Sequence, residues 1–233
     1  MTRAHLAQAA IGFAICCISA VALCSNGKSA VAPTAPASST ADQAVADIVR
    51  AQTRLHALKS LTADIVVIRV ANGKSTTARG MVKCLKPNYL WIETREPGHR
   101  GRRWRICDGK HCCTNDSKGR WSSVAADPQG ASFRDDLLIW SDFYVLYATE
   151  NARRVVGGAD VAIRTRAIGG RAYEVITAVH PSPHSATMAV YIGKWDGLIH
   201  RMTVDGGPVH VDETWSNLRQ NVPLRPRDFQ PRY

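Results

Sequence analysis

The chain has 233 residues, of which 45% are hydrophobic and 21% charged, a balance that suits a globular domain with a real core and excludes extensive disorder. Thirty Lys and Arg against 19 Asp and Glu give a formal charge of +11, which directs attention to acidic partners such as anionic lipid headgroups, anionic cell-wall polymer or nucleic acid. No RNP, zinc-finger or helix-turn-helix signature accompanies the charge, so nucleic acid is not an expected partner. The densest cluster, Arg95, Arg100, Arg102, Arg103 and Arg105, reads as a solvated basic face.

At the N-terminus, Arg3 precedes a mostly apolar run from Ala7 to Cys24. Its length and flank match a secretory signal, with a membrane anchor as the rival reading. Ala20-Val21-Ala22 offers a small-x-small cleavage site, and Val21-Ala22-Leu23-Cys24 is similar to a lipobox, which makes Cys24 the lipidation candidate. Residues 25–41 are rich in Ala, Pro, Ser and Thr without a hydrophobic period and read as a flexible tether. The expected organisation is a signal over 1–24, a linker over 25–41 and one folded domain over 42–233. The expected location is the periplasm or the cell envelope, with membrane anchoring through the N-terminus as one arrangement.

Thr40 to Gln43 has capping-box spacing, and Val45, Ile48, Val49, Leu55, Leu58 and Leu61 recur near helical spacing opposite Asp47, Arg50, Arg54 and Lys59. After Leu61 the period changes to that of strands. Extended runs are expected over Asp64–Val70 and Thr76–Leu85 around Asn72-Gly73, then over Tyr89–Thr94 beyond Pro87. Arg103–Cys107 and His111–Asn115 flank Asp108-Gly109, and Arg120–Val124 follows.

Four of the seven Cys, namely Cys84, Cys107, Cys112 and Cys113, lie beyond the signal, where an exported protein can oxidise them. A tight hairpin at Asp108-Gly109 would set Cys107 and Cys112 on facing strands, so a disulfide is expected there, with Cys84 as the competing partner. A zinc site from Cys107, His111, Cys112 and Cys113 lacks the paired C-x2-C spacing of structural zinc, and no metal is expected.

Asp135 to Tyr147 carries Leu137, Leu138, Trp140, Phe143, Tyr144 and Tyr147 and reads as one or two short helices. Val161–Arg166, Ala172–Val179, Ala186–Ile192, Leu198–Val204 and Val209–Leu218 read as closing strands, ahead of a Pro- and Arg-rich tail from Pro223. The expected fold is α+β and mainly β. A curled antiparallel sheet, or incomplete β-barrel, of about ten to eleven strands carries an N-terminal helix and a helical insertion that plug its concave face.

Gly80-Met81-Val82-Lys83-Cys84-Leu85-Lys86-Pro87-Asn88-Tyr89-Leu90-Trp91-Ile92-Glu93-Thr94 resembles the LolA family, in which a glycine-led strand runs into a basic-Pro-Asn corner and an aromatic strand. Cys107-Asp108-Gly109-Lys110 is similar to the family's next strand and turn. Met188 to Met202 resembles its late hairpin, and Asn217 to Phe229 its closing segment. The four matches come in family order over nearly all of residues 42–230.

The resemblance implies an incomplete β-barrel whose apolar cavity holds lipid or lipoprotein acyl chains, loaded or received through an inner- or outer-membrane protein partner. Relatives of the same fold serve as an outer-membrane lipoprotein receptor and as a sensor of envelope stress. Lys86 stands where the family's carriers usually have an Arg that keeps the cavity lid closed, and the Arg-rich stretch between Pro97 and Trp104 is an insertion relative to the family.

If Lys86 faces the cavity, alternation sends Val82 and Cys84 the same way, and Leu90 and Ile92 beyond the corner join them. These five and Trp140 are the ligand-binding candidates. Trp91, Trp104 and Trp121 are either lining or ordinary packing. Asp135, Asp136, Glu150, His180 and His184 have no motif that fixes their spacing, so no catalytic residue and no cofactor are expected. The expected function is that of an exported lipid-binding protein carrying or receiving lipoprotein acyl chains. A membrane-tethered sensor or interaction module is the alternative.

Overall fold

The computed structural model describes residues 39–97, 101–115, 119–126, 148–181 and 186–230. The signal region, most of the linker, Cys24 and the segment Asp135–Tyr147 with Trp140 lie outside them.

Helix α1, Thr40–Ala57, begins with a reciprocal capping box between Ser39 and Asp42. The box sits one residue upstream of the expected Thr40–Gln43 pair. A carboxylate three residues into the helix accepts the Ser39 N–H well, whereas the Gln43 amide donates to Asp47 Oδ2 at 2.7 Å instead. The buried stripe is Ala44, Ile48, Ala51 and Leu55. The helix stops at Ala57 with Leu58 extended, so Leu61, which continued the helical period in sequence, belongs to the first strand.

Eleven strands follow. The first six are β1 (Ser60–Ala71), β2 (Lys74–Leu85), β3 (Tyr89–Arg95), β4 (Arg103–Asp108), β5 (His111–Asn115) and β6 (Trp121–Ala125). After helix α2 (Ala148–Val156) come β7 (Asp160–Ile168), β8 (Arg171–Val179), β9 (Ala186–Gly193), β10 (Ile199–Gly206) and β11 (Val209–Gln220). All form one sheet in the order β6-β5-β4-β3-β2-β1-β11-β10-β9-β8-β7. Two meanders are thus joined by one long-range antiparallel pair, β1 with β11, in which Ile65 stands opposite Trp215. The edge strands β6 and β7 do not pair with each other, so the sheet is not closed into a barrel.

The sheet curls around α1. Buried residues of both meanders, from Leu61, Val82 and Leu90 to Ile176, Val190 and Trp215, belong to one core with the α1 stripe and with Ala152 and Val156 of α2. Gly80 shows how sharp the curl is. It shares the inward parity of Val82 and Cys84, and a Cβ there would lie 1.7 Å from the Glu93 carbonyl oxygen. Helix α2 was not evident in the sequence, because its nine residues make too short an apolar stripe, with Ala152 and Val156 as its buried i,i+4 pair. After β11 comes a 3-10 turn, Pro226–Phe229, whose fully buried Phe229 packs on Tyr89 at 5.6 Å between ring centroids.

Candidate functional site

Strand alternation and register lay apolar side chains in rows across the concave face. One row runs Leu61, Cys84, Leu90, Cys107 and Cys112 across β1 to β5. Its neighbour runs Ala63, Val82 and Ile92. On the other side of the β1–β11 seam, Met202, Val190 and Ile176 form the continuation. Val82, Cys84 and Leu90 have no exposed surface and Ile92 only 8%, because they belong to the same buried core as the α1 stripe. The structure therefore brings four of the six sequence-derived ligand-binding candidates together on one apolar floor, in the same core as α1. Such a floor offers hydrocarbon contact and no charge.

Lys86 sits at the corner after β2, before the cis Lys86–Pro87 bond. Its Nζ donates to the His56 carbonyl oxygen in the last turn of α1 and stands 3.5 Å from His56 Nδ1. Its backbone N–H donates to Lys59 O at 3.0 Å. A cation at a helix C-terminus satisfies an otherwise orphaned carbonyl and complements the helix dipole. Burial holds the Lys86 pKa below the usual lysine value. The corner is in turn tied to the next hairpin, since Asn88 Nδ2 donates to Gly109 O at 2.9 Å.

A second tie joins α1 to the far meander. Asp47, 5% exposed, accepts from Gln43 and pairs with Arg50 Nη1 at 2.8 Å. Glu174 of β8 faces it. Burial and then the Asp47 charge push the Glu174 pKa up, against the opposing pull of Lys194 and Arg50. Two carboxyl groups thus share the helix–sheet boundary, which makes Glu174 harder to ionise than in water.

Cys107 and Cys112 are joined by a disulfide across the β4–β5 hairpin, with their Cα atoms 4.1 Å apart. The Asp108 carboxylate organises the turn, accepting from Lys110 N at 2.9 Å and His111 N at 2.8 Å. Burial raises the Asp108 pKa, but these backbone bonds outweigh it and leave the pKa below the ordinary value. Cys113, one residue on, points to the opposite face toward Ser123, so the four residues of the zinc alternative do not converge. Among the described residues no group of three or more His, Cys, Asp or Glu is arranged to hold a metal.

Of the residues weighed for catalysis, Glu150 pairs with Arg154 along α2 at 3.1 Å, and His180 Nε2 stands 3.1 Å from Val155 O. Asp135, Asp136 and His184 lie outside the described residues. Trp91, Trp104 and Trp121 do not line the concave face. Leu90 and Ile92 point inward, so Trp91 points outward, and the register of β4 to β6 sends the other two the same way. The only signal of that outer surface in the sequence is the alternation of β3, where residues of both parities are apolar. Among the described residues no helix is long and apolar enough to cross a membrane.

No family model matches the sequence, and no curated protein matches it. Solved structures share parts of its chain path at low identity. A LolA superfamily protein from Nitrosomonas europaea is 9% identical over 81% of this chain and 97% of its own, with a TM-score of 0.42. LprF from Mycobacterium bovis is 16% identical over 78% and 95%, with a TM-score of 0.45. MucB of Pseudomonas aeruginosa, solved with MucA, is 10% identical over 81% of this chain and 61% of that one, with a TM-score of 0.48.

Proposed function

We propose that the protein is an exported envelope lipid-binding protein that carries or receives lipoprotein acyl chains beneath α1. The observation that carries this reading is the continuous apolar floor of Leu61, Val82, Cys84, Leu90 and Ile92, covered by one amphipathic helix with polar ties at Lys86 and Asp47. Most of the stability of an amphipathic helix comes from packing its apolar face, so displacing α1 costs least when its apolar contacts are replaced. An acyl chain is a matched replacement. Burying hydrocarbon is worth about 0.8 kcal/mol per methylene, or about 12 kcal/mol gross for a sixteen-carbon chain, against the burial of the displaced stripe. The displaced stripe, Ala44, Ile48, Ala51 and Leu55, offsets part of that gain, which keeps the net affinity for cargo below the gross figure.

In this reading residues 1–24 direct export, Cys24 is the lipidation candidate and residues 25–41 tether the domain. A membrane protein supplies or accepts the cargo, and no cofactor, metal or catalytic step is involved. Lys86 acts as a latch on the C-terminal end of α1. The expected result is saturable binding of a fluorescent acyl-chain probe by the purified protein, with Lys86→Met raising the association rate several-fold, because the tie it removes is worth about 1 kcal/mol or more. No probe binding and no co-purifying lipid would overturn the reading.

The second reading is a membrane-tethered sensor or interaction module without shuttle activity. It draws on the near-complete burial of the floor residues, which is what a filled core would also show. It expects capture of a protein partner and no probe binding.

A further inference from the structure

Strands β2 to β5 turn one face into the core shared with α1, and the opposite, convex face of β2 to β6 is aromatic. Met81 is 42% exposed, and Trp91, Trp104 and Trp121 are each half-buried around it. The Trp104 and Trp121 rings stack with centroids 5.8 Å apart and planes 10° from parallel. Lys83 Nζ lies 5.4 Å from the Trp91 ring centroid. Together they wall a shallow groove of about 280 Å³ whose floor is Ile106 and whose rim includes Arg227 of the 3-10 turn. A sheet face turned to water ordinarily carries polar residues at these positions.

The charges around the groove are unbalanced. Glu93 is taken by Arg102, and Glu96 pairs with Arg103 at 3.1 Å. Asp228 accepts the Arg225 N–H at 2.8 Å within its own turn. Arg79 and Arg95 stand directly opposite each other across β2 and β3. Like charges in that position cost stability. Among the described residues neither they nor Lys83 and Arg227 have a carboxylate within salt-bridge distance.

We propose that this convex face docks on a bilayer surface bearing anionic phospholipid. The indoles of Trp91, Trp104 and Trp121 sit at headgroup level, and Arg79, Lys83, Arg95 and Arg227 meet lipid phosphates. Partly exposed Trp flanked by Arg and Lys is the side-chain set that partitions to the bilayer interface, and each basic residue near an anionic leaflet contributes about 1 kcal/mol at physiological salt. This docking goes beyond the cargo reading and does not need it, because it uses the opposite face of the sheet. It leaves α1 on the side turned away from the bilayer.

The test uses the full chain with vesicles of phosphatidylcholine alone or mixed with phosphatidylglycerol, each made with brominated acyl chains that quench nearby Trp. The apolar N-terminal run contains no Trp, so its insertion alone is silent. Anionic vesicles are expected to quench at least about twice as strongly as zwitterionic ones, and the excess should fall by more than about half at high salt. Arg79→Gln with Arg95→Gln should lose most of the excess while melting no earlier than the parent, since it relieves a like-charge pair. Trp91→Phe, Trp104→Phe and Trp121→Phe together should remove it. Equal quenching by both vesicle types, or an excess that survives either set of substitutions, overturns the proposal. So does an absence of quenching together with salt-sensitive oligonucleotide binding. Acyl-probe binding read on the same variants keeps the two proposals separate, since either can fail while the other holds.

Discussion

Gly80 and Glu174 carry consequences larger than their surface share. A methyl group at Gly80 would meet the Glu93 carbonyl oxygen, a backbone atom that yields only if β3 moves. Gly80→Ala is therefore expected to destabilise the fold by several kcal/mol, read as a large drop in melting temperature or loss of soluble protein. Glu174 gives a pH signature. Its folded pKa lies above the ordinary 4.5, so between those two values the folded chain holds a proton that the unfolded chain has released. Stability accordingly falls as pH rises through that window. Glu174→Gln should match the parent below about pH 4, where both side chains are neutral, and should melt at or above the parent temperature at neutral pH. A parent that gains stability with pH across that window, with the variant falling behind, would show the assigned sign to be wrong. Gly80 was legible as the head of a resembling strand, but its steric role depends on how closely β2 and β3 approach. The Asp47–Glu174 pair was illegible, because the two residues come from elements far apart in sequence.

The β4–β5 hairpin is a local unit whose parts were all readable in order: Asp108-Gly109 at the turn, and Cys107 and Cys112 spaced to face each other. The structure sets these cysteines in register and joins them, closing a short loop. Loop-closure entropy for so short a loop is worth about 2 kcal/mol, so Cys107→Ser with Cys112→Ser should cost about that much, measurable by denaturant titration. The loss should fall on the β4–β6 edge, where hydrogen exchange ought to accelerate before it does in α1. Helix α1 was equally legible, apart from its ends. Its start moved to Ser39 because Asp42 outcompetes Gln43 for the cap, and its end moved because Leu61 serves the sheet. Helix α2 was not visible, since two inward residues make no period.

At the scale of the whole molecule, the pairing of β1 with β11 joins two meanders that would otherwise be separate sheets. Its contacts span almost the full domain, which predicts slow, cooperative folding. The same seam places Trp215 beneath α1, with its indole N–H donating to the buried Glu213 carboxylate at 2.6 Å. The sequence by itself determined the number of strands, their alternation, the hairpin turns and the amphipathic helix, because these are nearest-neighbour properties with periods of two and 3.6. It also determined which side of β2 and β3 carries Val82, Cys84, Leu90 and Ile92. Only the tertiary structure decided that Lys86 reaches the helix end and that the three Trp gather on the opposite face. Those depend on register and curl, which are set by contacts between distant segments and leave no period in the chain.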